Sequence, residues 1–204
     1  MTDPPERQPV KTSTRVVIAE DEAIIRLDLK ELLEEEGYEV VGETGRGDEA
    51  VDLVRDLDPD LAILDIKMPG MDGLTAARHI AGERRAAVLI LTAFSQRDLI
   101  EQARDAGALA YLVKPFQKSD LIPAIEVALG RFSELVALER EVGDLAERLE
   151  ARRLIDRAKG QLMDNHSLTE QQAWRFIQQQ AMNRRLKVHQ VAQMLIDGEL
   201  GPPA

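Results

Sequence analysis

Five short apolar runs recur along the first 130 residues, each followed by a longer stretch of helical period, and this alternation limits the fold more than any other feature. The runs are Arg15–Glu20 (RVVIAE), Glu39–Glu43 (EVVGE), Leu61–Asp65 (LAILD), Val88–Thr92 (VLILT) and Leu109–Val113 (LAYLV). Strands that alternate with helices close a core as a parallel sheet covered on both faces, so residues 14–130 are expected to form one α/β domain. In the first intervening stretch Ile24, Leu27, Leu29, Leu32 and Leu33 give the apolar face of an amphipathic helix. Gly37, Gly73 and Gly107 stand where helices and strands exchange and are read as turn residues.

After Gly130 the strands stop. Leu135, Leu138, Val142, Leu145 and Leu149 are spaced 3, 4, 3 and 4, the seam of a coiled coil flanked by Glu139, Glu141 and Arg148. Over 131–150 this describes a helical linker, and two readings stand: packing on its own domain, or a seam between two copies. Further helices are expected near Thr169–Asn183, with Thr169 as N-cap and a glutamine three residues on, and near Lys187–Ile196. Residues 151–198 then make a small all-α three-helix bundle. Residues 1–13 and 199–204 read as tails, the first of them disordered.

Charge divides the chain in the same place. The net charge of −11 argues against a nucleic-acid partner when averaged, yet residues 131–204 balance 11 basic against 11 acidic side chains, leaving 15 against 26 in residues 1–130. Within 151–190 eight basic residues face three acidic ones. The absence of cysteine excludes disulfides and thiolate metal sites and fits a reducing cytoplasm, with only His79, His166 and His189 as soft ligands. No apolar run reaches the roughly 20 residues that span a bilayer, so no membrane partner is expected.

In an open α/β sheet, the loops at the carboxyl ends of the strands build the binding crevice. Glu20 and Asp21 end the first strand and Asp65 ends the third, and these strands are neighbours in the flavodoxin-like order. Three converging carboxylates repel unless a cation compensates them, and an all-oxygen set suits Mg²⁺. Such an ion also neutralises an incoming phosphoryl group and leaves one carboxylate as nucleophile. Thr92 and Lys114 end the fourth and fifth strands, one offering a hydroxyl and the other an ion pair to an acyl phosphate on Asp65. A cis Lys114–Pro115 bond would point the lysine inward. Tyr111, two residues before Val113, is placed to alternate between buried and exposed positions as Thr92 moves. Singly, each has a plainer role as cap, turn or packing residue; their conjunction carries the weight.

AEDE at 19–22, LDIKMPGMDG at 64–73, LTA at 91–93 and LVKPF at 112–116 resemble the receiver domain of two-component response regulators. The resemblance implies that Asp65 is the phosphoacceptor, that Glu20 and Asp21 join it in holding Mg²⁺, that Thr92 and Tyr111 are the switch pair, and that Lys114 contacts the phosphate. Many members have Asp where Glu20 stands. A sensor histidine kinase would be the phosphodonor, and no enzymatic activity beyond the domain's own phosphoryl chemistry is expected.

Residues 152–196 are similar to the ANTAR domain, a three-helix RNA-binding module of transcription antitermination regulators. Ala158, Lys159, Gly160, Leu162, Met163, Glu170, Ala173, Trp174, Ala181, Met182, Leu186, Val191 and Ala192 fall in register, with Trp174 where Phe or Tyr is more usual. The resemblance implies binding of RNA hairpins. RNA contacts are expected among Arg157, Lys159, Gly160, Trp174, Arg184, Arg185 and Lys187. Trp174 is read first as a core anchor and second as a stacking platform. Met163, Met182 and Met194 read as core fillers. Small residues at 158, 160, 173, 181 and 192 permit close approach of helices or of a ligand backbone. A DNA-binding reading is weaker, because KVHQVAQMLI offers only Lys187, His189 and Gln190 to read bases. A signalling adaptor whose helices bind protein is the remaining alternative. A phosphorylation-dependent homodimer through the 131–150 helix is compatible with either output.

Overall fold

The computed structural model describes residues 13–93 and 97–201, and the tail segments 1–12 and 202–204 lie outside them. The chain divides into two units, Met1–Val136 and Ala137–Ala204.

In the first unit β1 (Arg15–Ala19), β2 (Glu39–Thr44), β3 (Leu61–Asp65), β4 (Ala87–Thr92) and β5 (Ala110–Val113) form one parallel sheet in the order β2-β1-β3-β4-β5. The expected fold class is observed, with strand limits within a residue of those read from the apolar runs. Helices α1 (Ala23–Glu35), α2 (Gly47–Leu57), α3 (Gly73–Gly82) and α4 (Arg97–Asp105) connect the strands. Because both faces of β1, β3 and β4 are covered, their residues are almost all buried, and the core falls into one layer on each face.

The face of α1 is narrower than its sequence suggests. Leu29 and Leu33 are buried, whereas Ile24 and Leu27 are exposed. Of the three glycines read as turn residues, Gly37 and Gly107 take positive φ. Gly73 does not, and is required for a different reason: a Cβ there would lie 1.8 Å from the Asp65 carbonyl oxygen.

The helical linker expected over 131–150 is observed, and it is continuous with helix on both sides. A single helix, α5 (Lys118–His166), runs from the receiver through the linker into the bundle, and nothing at Gly130 or near Glu150 interrupts its hydrogen bonding. Neither residue demands a break, since an isolated glycine only weakens a helix by about 1 kcal/mol relative to alanine.

In the second unit the end of α5 packs with α6 (Glu170–Arg184) and α7 (Val188–Ile196) around Ala158, Leu162, Ala173, Ile177, Ala181, Val191, Ala192 and Leu195. Thr169 caps α6 as expected: the Gln172 amide donates to its hydroxyl at 3.3 Å and its own amide donates to the Gln172 side chain at 2.8 Å. The chain leaves α6 through Arg185 in the left-handed region, φ +56°.

Candidate functional site

Strand register brings the acidic residues together. Ala19 pairs with Leu64 across β1 and β3, so Glu20 and Asp65 follow side by side; Asp65 pairs with Leu91 on β4, and Thr92 with Val113 on β5. The residues one step beyond each pairing are the chemically active ones. Glu20, Asp21 and Asp65 each present a carboxylate oxygen within 4.8 Å of the others, Glu20 and Asp65 buried and Asp21 exposed.

Lys114 reaches into this cluster. Its ammonium lies 2.7 Å from an Asp65 carboxylate oxygen and donates to Glu20. The Lys114–Pro115 bond is cis, and the Lys114 amide donates to the Thr92 carbonyl at 2.8 Å, tying the end of β5 to the end of β4. The Lys67 amide donates to the second Asp65 oxygen at 2.8 Å.

These contacts set the charges. Burial pushes the Glu20 carboxyl above its usual range, an effect opposed by the Lys114 hydrogen bond and reinforced by the nearby Asp65. Burial alone would lower the Lys114 ammonium, but its hydrogen bonds to Asp65 and Glu20 hold it above the ordinary lysine value. The donor set is all oxygen and net negative, which fits a hard divalent cation such as Mg²⁺ rather than a soft metal that prefers thiolate or imidazole. Among the described residues no other cluster of His, Asp and Glu has this form.

Of the remaining receiver positions, Thr92 is buried and Tyr111 is 45% exposed. The Tyr111 ring lines an apolar cleft of about 430 Å³ with Ile100, Arg104, Val127 and Arg131. One supporting residue, Arg26, escaped the sequence reading, and another, Gly73, was read there only as a turn residue. Arg26, on α1, donates its guanidinium to the Glu20 carbonyl and fixes the turn after β1. Gly73 lets α3 start against the backbone of Asp65. Only spacing from Glu20 and Asp65 pointed to either.

The second unit rearranges the expected RNA contacts. Lys159 is the least open of the expected cations: its side chain is 18% exposed, and it bridges Asp156 and Glu170 at 2.9 Å each. Those hydrogen bonds raise its own proton affinity and hold Asp156 below the usual carboxylate range. Lys159 thus fastens α5 to the start of α6, a role its spacing of three residues from Asp156 could have signalled. A side chain at Gly160 would meet nothing within 4 Å, so packing does not require glycine there; the alanines at 158, 173, 181 and 192 are the ones used for close helix packing. Arg157, Arg184, Arg185 and Lys187 are exposed. The preferred core reading of Trp174 is not what the fold shows: the ring is half-buried and lines an open groove with Arg152, Lys159 and Gln171. Met163 and Met182 are likewise exposed rather than core fillers, while Met194 is half-buried.

Comparison with known proteins decides the family. The response regulator receiver domain model matches residues 16–126, and the ANTAR domain model matches residues 143–196. The chain belongs to the response regulators, with an N-terminal receiver and a C-terminal ANTAR domain. The transcriptional regulatory protein PdtaR of Mycobacterium tuberculosis is 56% identical over 203 residues, covering all of this chain and 98% of that protein. The chemotaxis protein CheY of Thermotoga maritima is 38% identical over 112 residues, 54% of this response regulator and 93% of CheY. Among solved structures, the signal receiver domain of a modulated diguanylate cyclase from Desulfovibrio desulfuricans superposes with a TM-score of 0.56 at 29% identity, covering 60% of this chain and 98% of that one. A LuxR-family response regulator from Aurantimonas gives 0.55 at 31%, covering 63% and 99%. No described helix is long and apolar enough to cross a membrane.

Proposed function

We propose that this response regulator accepts a phosphoryl group on Asp65 from a sensor histidine kinase and, in that state, binds RNA hairpins through its ANTAR domain to prevent transcription termination in the cytoplasm. The observation that carries the reading is the Asp65 carboxylate itself: buried at a strand end, within 4.8 Å of two further carboxylates and 2.7 Å from the Lys114 ammonium. An Asp65 oxygen attacks phosphorus, the P–N bond of phosphohistidine breaks, and the imidazole leaves with the electron pair. Glu20, Asp21 and Asp65 would hold Mg²⁺, which offsets the charge of the phosphoryl oxygens during transfer. Lys114 then exchanges a carboxylate partner for a phosphoryl oxygen, and the Thr92 hydroxyl donates to another. Movement of Thr92 is passed to Tyr111, already half-exposed beside its cleft. The chemistry of the chain is confined to this phosphorylation and its reversal.

RNA as the target is supported by the ANTAR match and by the exposed Arg184, Arg185 and Lys187. Two experiments test the two halves. Acetyl phosphate with Mg²⁺ should label the wild type and leave Asp65→Asn unlabelled; equal labelling sinks the phosphoacceptor assignment. Crosslinking to cellular RNA should recover discrete hairpin-bearing transcripts with the wild type and fewer with Asp65→Asn; recovery of protein partners alone would favour the adaptor.

One further observation favours a homodimer of the phosphorylated form. Leu138, Val142, Leu145 and Leu149 are all more than half exposed along one stripe of α5. Sedimentation with acetyl phosphate should show a dimer that Leu145→Glu abolishes, and a dimer unaffected by that change would place the contact elsewhere.

A further inference from the structure

The three carboxylates of the receiver site are not held alike. Both oxygens of Glu20 accept hydrogen bonds, one from the Lys114 ammonium and the other from the Glu22 amide at 3.3 Å. Both oxygens of Asp65 are likewise engaged, by Lys114 and by the Lys67 amide. The Asp21 carboxylate is exposed, and among the described residues it has neither a hydrogen bond nor an ion pair. Its position is therefore set by the backbone alone.

That backbone is a short span between a strand and a helix. The Glu20 amide donates to the Thr44 carbonyl at 3.0 Å, just past the last paired residues of β1 and β2. Helix α1 begins at Ala23, but its N-cap residue, Glu22, makes no side-chain cap. The missing restraint comes from within the helix. The Arg26 guanidinium reaches back to the Glu20 carbonyl, which belongs to the peptide group that carries Asp21. Gly45, after β2, closes over the same place: a Cβ there would lie 3.5 Å from the Arg26 Nη1 and 3.5 Å from the Asp21 Cα. Arg26 is half-buried, and among the described residues its guanidinium has no carboxylate within ion-pair distance. A cation beside three acids that pairs with none of them, and donates to a carbonyl instead, serves the geometry of the turn rather than neutralisation.

We infer that Arg26 is a positioning residue for Mg²⁺: by holding the Glu20–Asp21 peptide it presents the Asp21 carboxylate to the ion that Glu20 and Asp65 also face. The inference rests on the Mg²⁺ reading above and gives the one unrestrained ligand its support. Arg26 acts on the ion in two ways of opposite sign. Its positive charge repels Mg²⁺, and loss of a solvent-screened charge of this kind changes affinity by about fivefold at most. Loss of a partner that orients a metal ligand costs about tenfold or more. Positioning should therefore win, and removing the guanidinium should weaken Mg²⁺ binding even though it removes a repulsion.

Calorimetric titration of the full-length protein with magnesium chloride tests this. Arg26→Met should bind Mg²⁺ more weakly by about threefold to tenfold, and Arg26→Lys, which keeps a charge and a donor, should recover part of the loss. In labelling by acetyl phosphate at graded Mg²⁺, the half-saturating concentration should rise by the same factor, with a smaller change in the maximal rate. Circular dichroism checks the fold of each variant. Arg26→Gln, too short to span to the carbonyl, carries the same expectation if the methionine variant does not fold. Mg²⁺ binding at wild-type strength or tighter in these variants overturns the inference and leaves Arg26 as a charge only. A lower maximal rate with unchanged half-saturation overturns it in favour of a contact with the phosphodonor. A wild type that takes up no Mg²⁺ in the calorimeter removes the metal reading itself, and the inference with it.

Discussion

At the scale of single residues, the receiver site is a balance between burial and charge. Glu20 is wholly buried with its proton affinity raised, first by desolvation. A carboxyl whose folded pKa exceeds its unfolded value of 4.5 stabilises the fold below that value and loses the contribution as pH rises through the folded pKa. Glu20→Gln should therefore raise the denaturation midpoint at pH 7 in the presence of EDTA and change it less at pH 4, as urea titrations at the two pH values would show. Gly73→Ala places a methyl against the Asp65 carbonyl and should cost about 1–3 kcal/mol in the same titrations while slowing phosphorylation by acetyl phosphate. An unchanged midpoint would mean that α3 can retreat from Asp65. Much of this site was legible in the sequence, because Glu20, Asp21, Asp65, Thr92 and Lys114 are chemically distinctive residues at strand ends. Lys159 and Trp174 were not legible to the same degree: a lysine reads as a free charge until its two acidic neighbours are placed in space, and a lone aromatic reads as core until the bundle is seen to close with alanines instead.

At the scale of elements, strands were read within a residue because a doubly covered sheet demands uninterrupted apolar runs. The ends of the long helix were less legible for the opposite reason. From Lys118 to His166 every residue tolerates helix, and Pro123 stands in its second turn, so composition changes along α5 without any backbone signal to match. The amphipathic pattern of α1 overstated its buried face, since Ile24 and Leu27 are apolar yet outward. Signals with a defined geometry fared better. The Thr169–Gln172 capping box was visible in sequence, and Thr169→Ala should cost about 1 kcal/mol, measurable as a lower midpoint for the helical signal of the second unit with no change in phosphorylation. If the midpoint does not move, α6 is held by its packing on Ala173, Ile177 and Ala181 alone.

For the whole molecule, the division of charge matters more than its sum. Residues 1–130 hold the entire acidic excess, while the exposed cations Arg184, Arg185 and Lys187 lie at the junction of α6 and α7. Replacing Arg184 and Arg185 by glutamine should flatten the dependence of log affinity on log salt by about 0.7 per charge when hairpin loops are the ligand. Lys159→Gln should leave that slope unaltered and instead lower the melting midpoint of the bundle, because its partners are Asp156 and Glu170 rather than solvent. A slope that responds to Lys159 and not to the arginines would relocate the electrostatic contact to α5. The ammonium of Lys114, seated between Glu20 and Asp65, has a longer reach than its size suggests. Under the proposed function it occupies, in the resting protein, the oxygens that Mg²⁺ and a phosphoryl group would need, so selection for heat resistance alone would favour variants that grip this lysine harder and are phosphorylated more slowly.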